Sequence, residues 1–187
     1  MRKTCIILFA LFCSLAALST SLAAQTVTLV PPRDPVTGKY DEGKSCFSFK
    51  YGLAKEITKG RWDLGYGFLS ISDQDWFTLN RTSNENRSVI RDLGKLDWKG
   101  PFTVPVLEPL PELPKGKWRE ITIDSSADTG KKWAETTNIY AKVAAGHMYL
   151  LHIKDEEADF YVMFRVEDFK QNSYCKISWR VVLTPEL

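Results

Sequence analysis

The chain has 187 residues, of which 44% are hydrophobic and 26% charged, and this length suits one domain with a proper core. Its 25 basic residues exceed its 23 acidic residues by two, and that excess is lost when Arg2 and Lys3 leave with the signal peptide predicted below. A neutral mature chain has no global field to attract nucleic acid or an anionic membrane, so neither is expected as a partner.

Residues 1–23 are predicted to form a secretory signal peptide. Two basic residues precede the apolar stretch CIILFALFCSLAAL, and small residues follow it. The stretch is shorter than the roughly 20 residues that a bilayer-crossing helix needs, so no membrane span is expected after signal removal. Cleavage is expected after Ala23, with cleavage after Ala24 as the alternative. The sequence therefore predicts a secreted or periplasmic protein with one mature domain, residues 24–187.

Alternation of apolar and polar residues dominates the mature chain and predicts β-strands. Turn-forming residues separate the alternating segments at intervals typical of antiparallel sheets. Helix is predicted only for residues 51–57 and 128–146. We expect an all-β domain, an antiparallel sandwich or barrel-like fold of about eight to ten strands with little helix. The clearest alternating segments are CFSFKY (46–51), REITID (119–124), FYVMFRV (160–166) and CKISWRVVL (175–183).

The segment 101–114 contains five of the nine prolines of the chain. Proline lacks an amide donor and cannot occupy a central strand, so this segment is predicted to be extended and to run across a sheet edge. One interpretation is a polyproline II ligand for a partner's aromatic groove. The other is a crossover between two sheets. Hydrophobic residues such as Phe102, Val104 and Leu107 favour the crossover, because a solvated linker would not carry so many.

Cys46 and Cys175 are the only cysteines after the signal peptide. An even pair in an oxidising compartment predicts a disulfide. The alternation argues against it, because Cys175 shares its strand face with the apolar Trp179 while Cys46 lies opposite Phe47. A bulge or a strand end would reconcile the two faces.

Residues 147–166, HMYLLHIKDEEADFYVMFRV, contain both histidines of the chain. His147 and His152 are five positions apart, so in a regular strand they point to opposite faces, about 16 Å from each other. They cannot share one metal ion, and neither a zinc-ligand spacing nor a GxSxG elbow occurs in the sequence. We therefore predict a structural hairpin whose histidines do not act together, and no catalytic residue is assigned.

Carboxylates offer two further hypotheses. The loop DSSADTG places Asp124 and Asp128 at alternating positions typical of a calcium loop, but Thr129 stands where such a loop needs glycine. These residues are weak calcium candidates, and no other cofactor is expected. A pair of carboxylates facing one cleft would instead indicate a glycosidase-like hydrolase, although the sequence nominates no pair.

Tryptophan placement is the most informative surface pattern. Exposed tryptophans on a sheet can stack on sugar rings or anchor a partner. The leading hypothesis is therefore an exported, non-catalytic module that binds a polysaccharide or another cell-envelope component. A carboxylate-based hydrolase and a purely structural envelope protein are the alternatives. Alternation predicts that Trp76 and Trp118 face outward. The next candidates, which have charged or glycine neighbours, are Trp62, Trp98 and Trp133.

Three segments, GHMYLLHIKDEEADFYVMFRV, RWDLGYGFLSI and KISWRVVL, resemble segments of uncharacterised exported bacterial proteins that belong to no characterised family. Together they span 40 of the 187 residues. The resemblance implies an exported bacterial β domain and assigns no site.

Overall fold

The chain folds into strands with almost no helix. The computed structural model describes residues 24–33, 36–39, 42–52, 62–68, 74–80, 86–112 and 138–185. Within these ranges there are nine strands and one 3₁₀ turn, Glu42–Lys44, but no α-helix, which confirms the predicted all-β class. The predicted signal peptide and the segment 119–124 lie outside the described residues. The strands are β1 (Gln25–Leu29), β2 (Cys46–Phe47), β3 (Leu64–Phe68), β4 (Asp75–Leu79), β5 (Val89–Gly94), β6 (Tyr140–Lys142), β7 (Met148–Lys154), β8 (Asp159–Lys170) and β9 (Tyr174–Val182).

The nine strands form two antiparallel sheets. The large sheet has the order β1-β9-β8-β7-β5, and the small sheet has the order β2-β3-β4-β6. Strands β7, β8 and β9 are consecutive hairpin partners and form the centre of the large sheet. The small sheet is completed by β6, which follows β5 in the chain but belongs to the other sheet.

A dense aromatic core lies between the inner faces of the two sheets. Phe77 of the small sheet meets Phe164 of the large sheet edge-on, with ring centroids 5.0 Å apart, and Tyr149 stacks on Phe164 at 4.8 Å. Each fully buried side chain of this size contributes about 1.5–3 kcal/mol to stability, so this core holds the sheets together. Other buried members are Leu29, Phe47, Leu64, Leu79, Leu151, Val162 and Ile177.

Backbone hydrogen bonds join the two sheets along both sides. On the β1 side, the Val30 amide donates to the Lys44 carbonyl at 3.1 Å. On the β5 side, the Ile90 amide donates to the Asn138 carbonyl at 2.7 Å. These bonds connect the end of β1 to the turn before β2, and strand β5 to the residues before β6.

Residues 147–166 contain the predicted hairpin. The strands β7 and β8 pair in register from Met148 to Lys154, and an acidic turn connects them. In that turn the Asp155 amide donates to the Ala158 carbonyl at 2.9 Å, while the Asp155 side chain accepts from the Glu157 amide at 2.8 Å. The predicted hairpin is therefore present, and Asp155 helps to close its turn.

The proline-rich segment lies on the outer face of the large sheet. Residues 101–112, here called the strap, have no regular secondary structure. The peptide of Leu107 anchors the strap, because its amide donates to the Tyr161 hydroxyl at 3.1 Å and its carbonyl accepts from His152 Nδ1 at 2.7 Å. The apolar strap residues pack against one half of this outer face. The packed residues include Phe102, Val104, Leu107 and Leu110 from the strap, and Val89, Met148, Leu150, Tyr161 and Met163 from the sheet.

Two sequence predictions need correction. Of the segment predicted as helix, 128–146, residues 140–142 instead form strand β6, which pairs with β4, and Tyr140 and Ala141 are buried there. Residues 128–137 lie outside the described residues. The predicted disulfide is absent, since no bond joins Cys46 and Cys175, and both side chains are buried. Cys175 faces the core between the sheets, whereas Cys46 neighbours the core residue Phe47 and so points to the opposite face of β2.

Candidate functional site

Trp76, a leading candidate for an outward ring, is buried, with 2% of its surface exposed. It does lie on the side of β4 opposite the core residue Phe77, as alternation predicts. That side is covered, and Trp76 packs there with Leu110, Ile139 and Tyr140. The expectation that Trp76 faces solvent is wrong, because alternation identifies a face of the sheet but not whether another segment covers it.

Trp62 is half-buried beside β3. A Cβ atom on Gly65 would lie 3.2 Å from Cζ3 of the Trp62 ring, so the indole rests directly on the glycine backbone. Trp62 therefore covers part of the small sheet and keeps some exposed surface. The remaining candidates, namely the tryptophans Trp118 and Trp133 and the calcium candidates Asp124 and Asp128, lie outside the described residues.

Trp98 is half-buried where the strap-covered half of the large sheet meets its polar half. Two guanidinium groups lie near its ring. Cζ of Arg180 is 4.8 Å from the ring centroid, and Cζ of Arg165 is 6.0 Å from it. Arg180 also donates a hydrogen bond through Nη2 to the Trp98 carbonyl at 3.4 Å. These cation–π contacts, worth about 0.5–1 kcal/mol each at exposed sites, hold the indole in place.

The strand register explains why both arginines share one face. Arg180 pairs with Met163 and Arg165 pairs with Ser178, so both lie on the outer face of the β8–β9 hairpin. Trp179 points inward to the core. Sequence reasoning missed these arginines, although each interrupts an apolar strand segment at a position where alternation turns the side chain outward.

A row of hydroxyl groups continues this surface towards β1. Ser178 pairs with Thr26 as well as with Arg165, and the Thr26 and Ser178 hydroxyl oxygens are 3.4 Å apart. Ser178 is buried, with 9% of its surface exposed, whereas Thr26 is exposed, so Thr26 offers the hydroxyl that can donate to and accept from a ligand. We call Thr26, Trp98, Arg165, Ser178 and Arg180 together the Trp98 surface.

The two arginines differ in their charge partners. Arg165 holds Glu167 by two bonds, from Nε at 3.1 Å and from Nη2 at 2.5 Å. Burial opposes the ionisation of Glu167, but hydrogen bonds from Arg165 and Ser178 outweigh it and hold the pKa of Glu167 below its usual range. Arg180 forms no ion pair with any residue that the structure describes, and its Nε is buried there without a hydrogen-bond partner.

The two histidines have separate partners. His147 Nδ1 lies 3.0 Å from a carboxylate oxygen of Asp92. His152 is buried under the strap, stacks on Tyr161 with a 4.3 Å centroid separation, and places Nε2 2.8 Å from Asp159 Oδ1. The contacts of His152 fasten the strap and the hairpin, so the geometry gives this histidine a structural position.

Two carboxylates lie inside the fold and bind protein donors. Asp63 Oδ2 accepts from the Phe49 amide at 2.7 Å, and burial raises the pKa of Asp63. Asp75 is 1% exposed, and its Oδ2 accepts from the Tyr66 hydroxyl at 2.6 Å and from the Asn172 amide at 2.8 Å. Both groups organise local structure, since each ties together segments distant in the chain.

Within the described ranges, no group of three or more histidine, cysteine or acidic side chains is arranged to hold a metal ion. No helix in those ranges is long and apolar enough to cross a membrane.

No protein-family model matches this chain, and no curated protein or solved structure matches it either.

Proposed function

We propose that this protein is an exported, non-catalytic β-sandwich module that binds a glycan or another cell-envelope component at the Trp98 surface. The observation that carries the proposal is the partly exposed Trp98, which packs against the apolar residues under the strap and lies beside two guanidinium groups. An aromatic ring that can cover a sugar face, surrounded by hydrogen-bonding side chains, is the combination used to bind carbohydrate rings.

The chemistry of the surface favours binding over hydrolysis. A glycosidase needs one protonated carboxylic acid and a second carboxylate on either side of the scissile bond. The carboxylate beside this surface, Glu167, is paired with Arg165 and has a lowered pKa, so it remains ionised and is a poor proton donor at neutral pH. Asp63 and Asp75 are engaged with protein donors.

The rigidity of the surface supports useful affinity despite its shallow shape. Arg165, Ser178 and Arg180 lie on paired strands, and the cation–π contacts restrain Trp98, so little side-chain entropy is lost on binding. A single-ring aromatic contact of this type corresponds to dissociation constants of about 1 mM to 1 μM, or about 4–8 kcal/mol.

A pair of matched substitutions tests the proposal. The mature protein, Trp98→Ala and Trp62→Ala are compared by affinity electrophoresis in gels that contain soluble envelope polysaccharides. We expect Trp98→Ala to weaken retardation at least about tenfold, equivalent to the loss of about 1.4 kcal/mol. Trp62→Ala removes a half-buried tryptophan from the other sheet and serves as the control, with no expected change.

Thermal unfolding of each variant establishes that the fold is retained. Equal losses for the two variants, or no loss for a folded Trp98→Ala protein, would contradict the assignment of the surface. Turnover of a polysaccharide by the parent protein would replace the binding proposal with the hydrolase alternative.

A further inference from the structure

Arg180 carries a charge that the described protein residues do not neutralise. Arg165, on the neighbouring strand, is satisfied by both oxygens of Glu167. Arg180 has a single hydrogen bond, to the Trp98 carbonyl, and the rest of its fork has no acceptor among the residues whose positions the structure gives. The two arginines lie on the same face, so the surface combines one guanidinium neutralised by Glu167 with one that has a buried Nε and no carboxylate partner among the described residues.

The guanidinium group of Arg180 lies beside the indole of Trp98. With Cζ of Arg180 only 4.8 Å from the ring centroid of Trp98, one sugar ring can contact the indole and present a substituent to Arg180. We infer that the ligand of the Trp98 surface is an acidic polysaccharide whose uronic-acid carboxylate pairs with Arg180. This inference rests on the proposed function and specifies its ligand class.

Charge complementarity favours a carboxylate. Guanidinium groups pair with carboxylates through two parallel bonds, and the Arg165–Glu167 pair shows that this geometry fits the same face. Lys176, which contributes to the lowered pKa of Glu167, adds a further positive charge nearby. The formally neutral mature chain provides no global attraction for other polyanions. The selectivity for a carboxylate ligand therefore depends on the local positive charges around Arg180.

Polygalacturonate and its fully methyl-esterified form separate charge from sugar recognition. Both polymers have the same sugar backbone, but esterification removes the carboxylate charge. We expect the mature protein to bind polygalacturonate about 10- to 100-fold more tightly than the ester, the usual scale for a charge-assisted hydrogen bond. The preference should decrease as salt is added, because exposed charges are screened.

Substitutions test whether Arg180 causes the preference for polygalacturonate over its methyl ester. Arg180→Gln should remove the preference for the free acid, and Arg180→Lys should retain part of it, because lysine keeps the charge but not the planar fork. Arg91→Gln is the control, since Arg91 is exposed on the outer face of β5, three strands and about 14 Å from β9. Its binding should equal that of the parent protein.

The outcomes distinguish the inference from the proposed function. Equal binding of the acid and the ester, with a loss in Trp98→Ala, would overturn the inference and leave the glycan module standing. If the protein bound neither polymer but bound neutral glycans through Trp98, the inference would also be overturned and the proposed function would stand. If single-stranded DNA or dextran sulfate bound as tightly as polygalacturonate, or Arg91→Gln lost the preference equally, a general cationic patch would replace the carboxylate site. If no glycan bound through Trp98, the proposed function itself would fail.

Discussion

Substitution of Tyr149 by phenylalanine tests how the two sheets are held together. The buried hydroxyl of Tyr149, on the large sheet, donates to the Lys142 carbonyl at 2.7 Å and accepts from the Ala144 amide at 3.0 Å, both at the end of β6. Burial raises the pKa of Tyr149, so the hydroxyl remains protonated and able to donate. Tyr149→Phe keeps the ring in the aromatic core and removes both hydrogen bonds.

The expected loss is about 2 kcal/mol, because each of the two hydrogen bonds contributes about 1 kcal/mol. With a urea m-value of about 2 kcal/mol/M, the midpoint of unfolding should fall by about 1 M. Equilibrium unfolding followed by circular dichroism measures this shift.

Tyr174→Phe provides the matched control. The Tyr174 hydroxyl donates to Asp168 at 2.7 Å at the exposed end of the β8–β9 hairpin, so its removal should shift the urea midpoint much less than Tyr149→Phe does. Equal midpoints for Tyr149→Phe and the parent protein, or equal shifts for the two variants, would refute the assigned role of Tyr149 in joining the sheets.

Three other predictions concern thiols, pH and the strap. Without reductant, Cys46 and Cys175 should resist alkylation in the native protein, because both are buried and burial raises the pKa of Cys175. Both should react after unfolding, and two unreactive cysteines in the unfolded protein would show that a disulfide joins them. Burial raises the pKa of Asp63, so the stability that this side chain contributes is present at low pH and is lost as pH rises through the folded pKa. From pH 3 to pH 7, the urea midpoint of the parent protein should therefore fall relative to that of Asp63→Asn. A difference between the two midpoints that does not change with pH would contradict this. His152→Gln should lower stability by about 1–3 kcal/mol in urea unfolding and leave polysaccharide binding unchanged, whereas loss of binding in a folded variant would give the histidine a functional role.

Alternation identified the fold class because the hairpin strands keep a period of two against an apolar core. Residues 160–166 and 175–183 lie largely within β8 and β9, the long central strands. The same rule placed Trp76 on the correct face of β4 but not in the correct environment. Covering of an outer face depends on contacts distant in sequence, and a period of two carries no information about them.

The candidate surface was harder to predict than the fold. Trp98 was among the expected tryptophans, but its importance depends on Arg165 and Arg180, which come from two other strands. Their approach follows from the register of β8 on β9 and from the turn that carries Trp98, and neither is encoded by a short motif. The helix predicted for 128–146 failed at 140–142 for a related reason, because pairing with β4 overrides local propensity.

The most direct test of the proposed function is a ligand titration observed at each tryptophan separately. The protein, labelled with 5-fluorotryptophan, contains six fluorine reporters, and Trp→Phe variants assign their NMR signals. Addition of polygalacturonate should shift the Trp98 signal and leave the signals of Trp62 and the core residue Trp179 unchanged. A shift that appears at another tryptophan but not at Trp98 would contradict the account.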